Sequence, residues 1–157
     1  MLRITALSLS LLFGSLAFSL PAHALNWKVT DLGSLNGGET HVTAINNSGD
    51  VVGWSRIAPG QQHAFLYHGG QMVDIGPQDT FYSTAEAINN AGLVAGSKYQ
   101  NAMESAFVYG PGGMSSPGSF GSRISLYERA THINNNGQIA GYAHYTADDS
   151  ERAFVST

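Results

Sequence analysis

The chain has 157 residues, no cysteine and a formal charge of −4 at neutral pH, with seven Lys and Arg against eleven Asp and Glu. The basic residues are scattered singly, so there is no clustered face for nucleic acid or an anionic membrane surface; thiol chemistry, cysteine-held metals and disulfides are excluded outright. Abundant glycine, few charges and short aromatic or β-branched runs point to β structure held by burial and sheet hydrogen bonds.

Residues 1–24 read as a secretory signal peptide. Arg3 precedes an apolar run from Ile4 to Leu20, and Ala22-His23-Ala24 has the small-x-small form that a signal peptidase reads. The run is short for a membrane span, which needs about 20 apolar residues. Export to the periplasm or the medium, with no stable membrane anchor after cleavage, is the expectation. Residues 25–157 then make a single β-repeat domain.

The first element of that domain is a strand over Trp27–Gly33, "WKVTDLG". Three units follow, at about 34–76, 77–118 and 119–157. Each opens with a strand running into Ile45, Ile88 or Ile133, and each turns through Asn-Asn-x-Gly. In that turn Asn tolerates unusual backbone angles and Gly supplies the left-handed residue. Second strands carry Val51-Val52-Gly53, Val94-Ala95-Gly96 and Ile139-Ala140-Gly141, where Ala and Gly leave room for a neighbouring sheet. Third strands carry Ala64-Phe65, Ala106-Phe107 and Ala153-Phe154. A Gly turn and a fourth strand follow, "QMVDIG" in the first unit and a weaker "GMSSPG" in the second.

The third unit stops after its Ala-Phe strand. Trp27–Gly33 matches the fourth-strand text, so the N-terminal strand is expected to complete the last unit and hide two sheet edges. The fold class is therefore all-β, with three four-stranded antiparallel repeats arranged as β-propeller-like blades. An open arc, a ring of three and a homodimer making six blades all fit the repeat; a β-trefoil is the alternative architecture.

The landmarks Asp31-Leu32-Gly33, Ile45-Asn46-Asn47-Ser48-Gly49, Val52-Gly53 and His63-Ala64-Phe65-Leu66 resemble those of the HAF-repeat exported proteins of bacteria. The likeness covers essentially the whole chain after the signal peptide and is best in the first unit. Ser105 and Arg152 replace the motif's His, and Ser116-Pro117-Gly118 replaces Asp-Ile-Gly. The resemblance implies location outside the cytoplasm and a propeller-like repeat; it implies no activity and no catalytic residues.

No nucleophile elbow, zinc-protease helix, phosphate loop or dinucleotide fingerprint is present. A calcium loop would need acids at repeated positions, yet Asp50 is matched by Leu93 and Gln138. His63 reads as a strand-rim residue and His132 as a locally bonded histidine in a buried strand. Asp148, Asp149 and Glu151 read as a solvated loop. No catalytic residue, metal ligand or cofactor site is assigned. The remaining signal is a set of long, variable loops at one end of the units, holding Arg56, Tyr82, Tyr99, Arg123, Tyr127, His144 and Tyr145. Such loops on a rigid scaffold suit recognition. The expected function is a non-enzymatic exported module binding a glycan or a protein there, without nucleic acid as partner. Its alternatives are a structural or matrix protein lacking a discrete ligand, and a glycan-acting enzyme.

Overall fold

A computed structural model describes residues 27–118 and 124–156, with side chains in the second stretch from 127 onward. The signal-peptide segment 1–24 and Arg123 lie outside the described residues. The described residues are all-β, and no helix occurs among them. They therefore contain no helix long and apolar enough to cross a membrane.

Among the described residues, eleven strands form one sheet. They are β1 (Thr40–Ile45), β2 (Val51–Ala58), β3 (Gln61–His68), β4 (Gln71–Asp74), β5 (Tyr82–Ile88), β6 (Val94–Gln100), β7 (Met103–Gly110), β8 (Gly113–Ser115), β9 (Ile124–Ile133), β10 (Ile139–Tyr145) and β11 (Ser150–Ser156). The path runs β1-β2-β3-β5-β6-β7-β9-β10-β11, with β4 beside β3 and β8 beside β7. Three antiparallel groups result: β1–β4, β5–β8 and β9–β11. Each join between groups is one parallel bridge, Gln62 to Tyr82 and Glu104 to Tyr127. β3 thus forks, its start facing β5 and its end facing β4. The path stays open, which does not fit the closed barrel of a β-trefoil.

Each group opens with a bulged strand. The register slips past Thr43, Glu86 and Thr131, one extra residue at the same place each time. Opposite the bulge stands a glycine. Gly53, Gly96 and Gly141 pair across the next ladder with Phe65, Phe107 and Phe154. A Cβ there would fall 1.9, 2.1 and 1.9 Å from the carbonyl oxygens of His41, Thr84 and Arg129. It would also lie within 3.0 Å of the phenylalanine ring. These glycines therefore admit the bulged backbone and the ring of their own group, not the neighbouring sheet that the sequence suggests.

The groups pack face to face. Val52 and Ala64 meet Ala85, Ile88, Val94 and Phe107 in one core. Ala95 and Ala106 meet Ala130 and Ile139 in a second, with Phe154 against it. Fully burying each of these larger side chains is worth about 1.5–3 kcal/mol.

The repeated turns are joined to one another. Asn46 Oδ1 accepts from Ser48 N at 3.0 Å and Asp50 N at 2.9 Å, closing its own turn. Its Nδ2 donates to Asn89 O at 3.1 Å, and Asn89 Nδ2 donates to Asn134 O at 3.0 Å. Asn47 N donates to Asn90 Oδ1, and Asn90 N to Asn135 Oδ1, both at 3.0 Å. The Asn pair is turn chemistry, as its sequence implies, and also the seam between groups.

Two expectations are corrected. Residues 27–33 form no strand, and Trp27 and Val29 are exposed. β4 and β8 form because a short glycine turn folds each straight back on the preceding strand. A strand from the far end of the chain has no such turn and must offset a long loop closure. The connections at the far end of the groups are also shorter than they read. Pro59-Gly60 and Asn101-Ala102 are two-residue turns, the latter with both φ angles positive at 53° and 61°. That geometry matches strand twist, so β6 and β7 run on into text that looks like loop.

Two substitutions test this packing. Gly96→Ala should lower unfolding free energy by about 2–3 kcal/mol, because backbone must move to admit the methyl; a urea melt reads it. Asn89→Ala should cost about 2–3 kcal/mol by stranding buried amides, whereas the same change at exposed Asn134 should cost less than about 1 kcal/mol in the same melt.

Candidate functional site

The His of His-Ala-Phe is not a rim residue. His63 is 2 % exposed. Its Nδ1 lies 2.9 Å from Asp74 Oδ2 and its Nε2 lies 3.3 Å from Thr80 O. Asp74 Oδ1 also accepts from Gly76 N at 2.8 Å. A Cβ on Gly76 would meet the imidazole at 2.6 Å, so the glycine lets the ring lie against this turn. His-Ala-Phe and Asp-Ile-Gly are two halves of one contact. In the second group Ser105 and Ser116 replace His63 and Asp74 together. The motif is architectural.

Five of the seven predicted binding residues fall at equivalent positions of the three groups. Tyr82 on β5 faces Tyr99 on β6. In the first group the same place holds Glu39 and Arg56, with Arg56 Nη2 donating to Glu39 Oε2 at 3.1 Å. In the third it holds Tyr127 and His144, ring centroids 5.6 Å apart. These five of the predicted residues thus sit on strands, not on loops. Arg123 lies outside the described residues. Tyr145, at the end of β10, carries the Arg152 guanidinium 4.2 Å over its ring.

Exposure along this row is uneven. Tyr82 and Tyr99 are 46 % and 43 % exposed, and neighbouring Phe81 and Met103 are 61 % and 51 %. His144 is largely covered, with Nε2 2.9 Å from Asp149 Oδ1. Tyr127 Oη donates to Glu151 Oε2 at 3.0 Å, and that bond holds the phenol above its usual pKa. Sequence reasoning missed Glu39, Phe81 and Met103. Glu39 was legible, since it lies 43 residues before Tyr82, the offset that also separates Asn46 from Asn89.

A charged cluster adjoins the row, with Glu104 between Tyr99 and Tyr127 in register. Arg129 Nε bonds Glu104 Oε1 at 2.8 Å, and Ser97 Oγ donates to the same oxygen at 2.8 Å. The Glu104 bond raises the Arg129 pKa. Glu86 occupies the bulge position that is Thr in the other groups. Burial pushes its carboxyl above the usual range, with Arg129 opposing and Glu104 adding to the rise.

The acidic run at the β10–β11 turn is engaged piecewise rather than freely solvated. Asp148 pairs with Arg152, and the Ser150 hydroxyl bond chiefly lowers its pKa, aided by Arg152. His132 makes the expected local bond, 2.9 Å to Thr131 Oγ1, but is exposed because none of the described groups covers that face of β9.

A cleft of about 430 Å³ is lined by Lys98, Gln100, Ser105 and Ser116 among others. A larger one, about 690 Å³, lies at the tight-turn end beside Asp50 and His68. There the His68 bond at 2.6 Å is the main cause of a lowered Asp50 pKa. Among the described residues no group of three or more His, Asp or Glu is placed to hold a metal ion. Comparison with models of known families, with curated proteins and with solved structures found no match.

Glu86 supplies a pH test. Its folded-state pKa is raised, so the folded chain holds the proton more tightly than the unfolded one. The contribution to stability is greatest below the unfolded pKa and falls as pH rises through the folded value. Glu86→Thr restores the hydroxyl that Thr43 uses and should add up to about 1 kcal/mol near neutral pH. Thermal melts at several pH values should show that gain shrinking on acidification.

Proposed function

We propose that this chain is an exported, propeller-like repeat module of the HAF type that binds a glycan without acting on it. The row Glu39–Arg56, Tyr82–Tyr99 and Tyr127–His144 is its binding edge. The observation that carries this reading is the Tyr82–Tyr99 pair, in register and with both rings partly open. Exposed aromatic faces offer apolar stacking surface to a sugar ring, while Arg56 and Glu39 supply polar partners for hydroxyls. The three-fold recurrence of the position suits a linear chain ligand with recurring units. Export rests on the Arg3–Ala24 segment, and the blade-like reading rests on the sequence repeat and on the face-to-face packing of successive groups.

Affinity electrophoresis in gels containing bacterial or plant polysaccharides tests the binding. Wild type should be retarded by at least one polysaccharide. Tyr82→Ala and Tyr99→Ala should each weaken that retardation about tenfold or more, while leaving thermal stability within about 1 kcal/mol of wild type. Retardation unchanged in both variants would remove the aromatic pair from the site. Capture of a protein with no glycan response would move the reading to the protein-ligand alternative.

A further inference from the structure

The contact between successive groups occurs twice inside the chain and ends in two uncovered faces. At one end Val42 and Ile45 are 57 % and 66 % exposed, whereas Ala85 and Ile88, which hold the same positions in the second group, are 0 % and 8 %. At the other end Val155 is 64 % exposed and Ala140 and Ala153 are open. Their counterparts Ala95 and Ala106 are 0 % and 4 %, because they pack the third group onto the second. The two faces are thus the two halves of an interface the chain already uses.

We infer that a second copy of this chain seats its β1 face on the β9–β11 face of the first, head to tail, continuing the internal stacking. The hydrogen-bond seam shows how it would continue. Thr43 Oγ1 lies 3.1 Å from Val52 O and 2.6 Å from Ala85 O of the next group. Thr131 Oγ1 keeps the first of these bonds, to Ala140 O at 3.3 Å, and by the same superposition reaches Val42 O of the incoming copy. Asn134 Nδ2 bonds Gln138 within its own turn and would donate its other hydrogen to Asn46 O of that copy. Asn135 N would meet the incoming Asn47 Oδ1, as Asn90 N meets Asn135 Oδ1.

Such a contact joins unlike surfaces, so it closes into a ring or extends into a filament according to its rotation. The bridge filled inside the chain by Glu104 and Tyr127 would pair Glu151 with the incoming Glu39. Salt screens that like-charge contact, so association should strengthen as ionic strength rises. The inference does not use the Tyr82–Tyr99 pair, and its test reads association rather than glycan retardation, so the two readings fail separately.

Light scattering on the purified protein across a range of concentrations tests it. Wild type should give a mass that rises with concentration and with salt. Val155→Arg blocks one face and Ile45→Arg the other; both sites are exposed, and circular dichroism melts check that each variant folds. Each variant alone should weaken association at least about tenfold. Mixed in equal amounts, they should form a one-to-one pair and nothing larger, since each keeps the face the other lacks. A wild type that stays monomeric, a variant that still assembles like wild type, or a mixture that forms no pair would each overturn the inference.

Discussion

The side-chain amide of the turn asparagine is shared between two jobs, and the arrangement of the groups follows from that sharing. Its oxygen closes the turn on its own backbone, and its nitrogen reaches the carbonyl of the equivalent asparagine one group on. Asp could close the turn, but it has no hydrogen to donate across the seam. Serine is too short to do both. Once Asn46 and Asn89 are tied in this way, the strands behind the turns are set in a fixed register. Val52 then meets the face that carries Ile88 and Val94, and the cores fill.

The same fixed register decides where chemistry can collect. Positions one repeat apart end up in successive groups at corresponding places, so a substitution in one copy alters one rung of a row. Glu39–Arg56, Tyr82–Tyr99 and Tyr127–His144 are three versions of one rung, differing in charge, aromaticity and exposure. The His63–Asp74 contact shows the opposite use of the scaffold. Its histidine is buried against a partly exposed carboxylate, and the pair changes to Ser105 and Ser116 as a unit, as expected where neither partner is tolerable alone.

Part of the site was legible in the text and part was not. The residue types were visible: Arg56, Tyr82, Tyr99, Tyr127 and His144 stand out in a chain with few charges. Their placement was misread as loop because polar and glycine-rich text around them resembles loop. The turn at Asn101-Ala102 is the instructive case, since a two-residue turn with both φ angles positive carries Ala where Gly is the usual signal. His63 was misjudged for a related reason. A strand-initial histidine looks exposed until Asp74 and Thr80, 11 and 17 residues later, fold over it.

The sequence by itself determined the all-β class, the Asn-Asn-x-Gly turns and the periodic placement of Asn, Gly and Ala-Phe, because each depends on local backbone preference and on spacing along the chain. The tertiary structure alone decided what those residues touch. The bulged carbonyl over Gly53, the Asn46–Asn89 seam, the open end at Val155 and the unpaired segment 27–33 all depend on which strands lie side by side. Side-by-side placement is a balance of burial against chain entropy over the whole molecule, and no single stretch of text contains that balance.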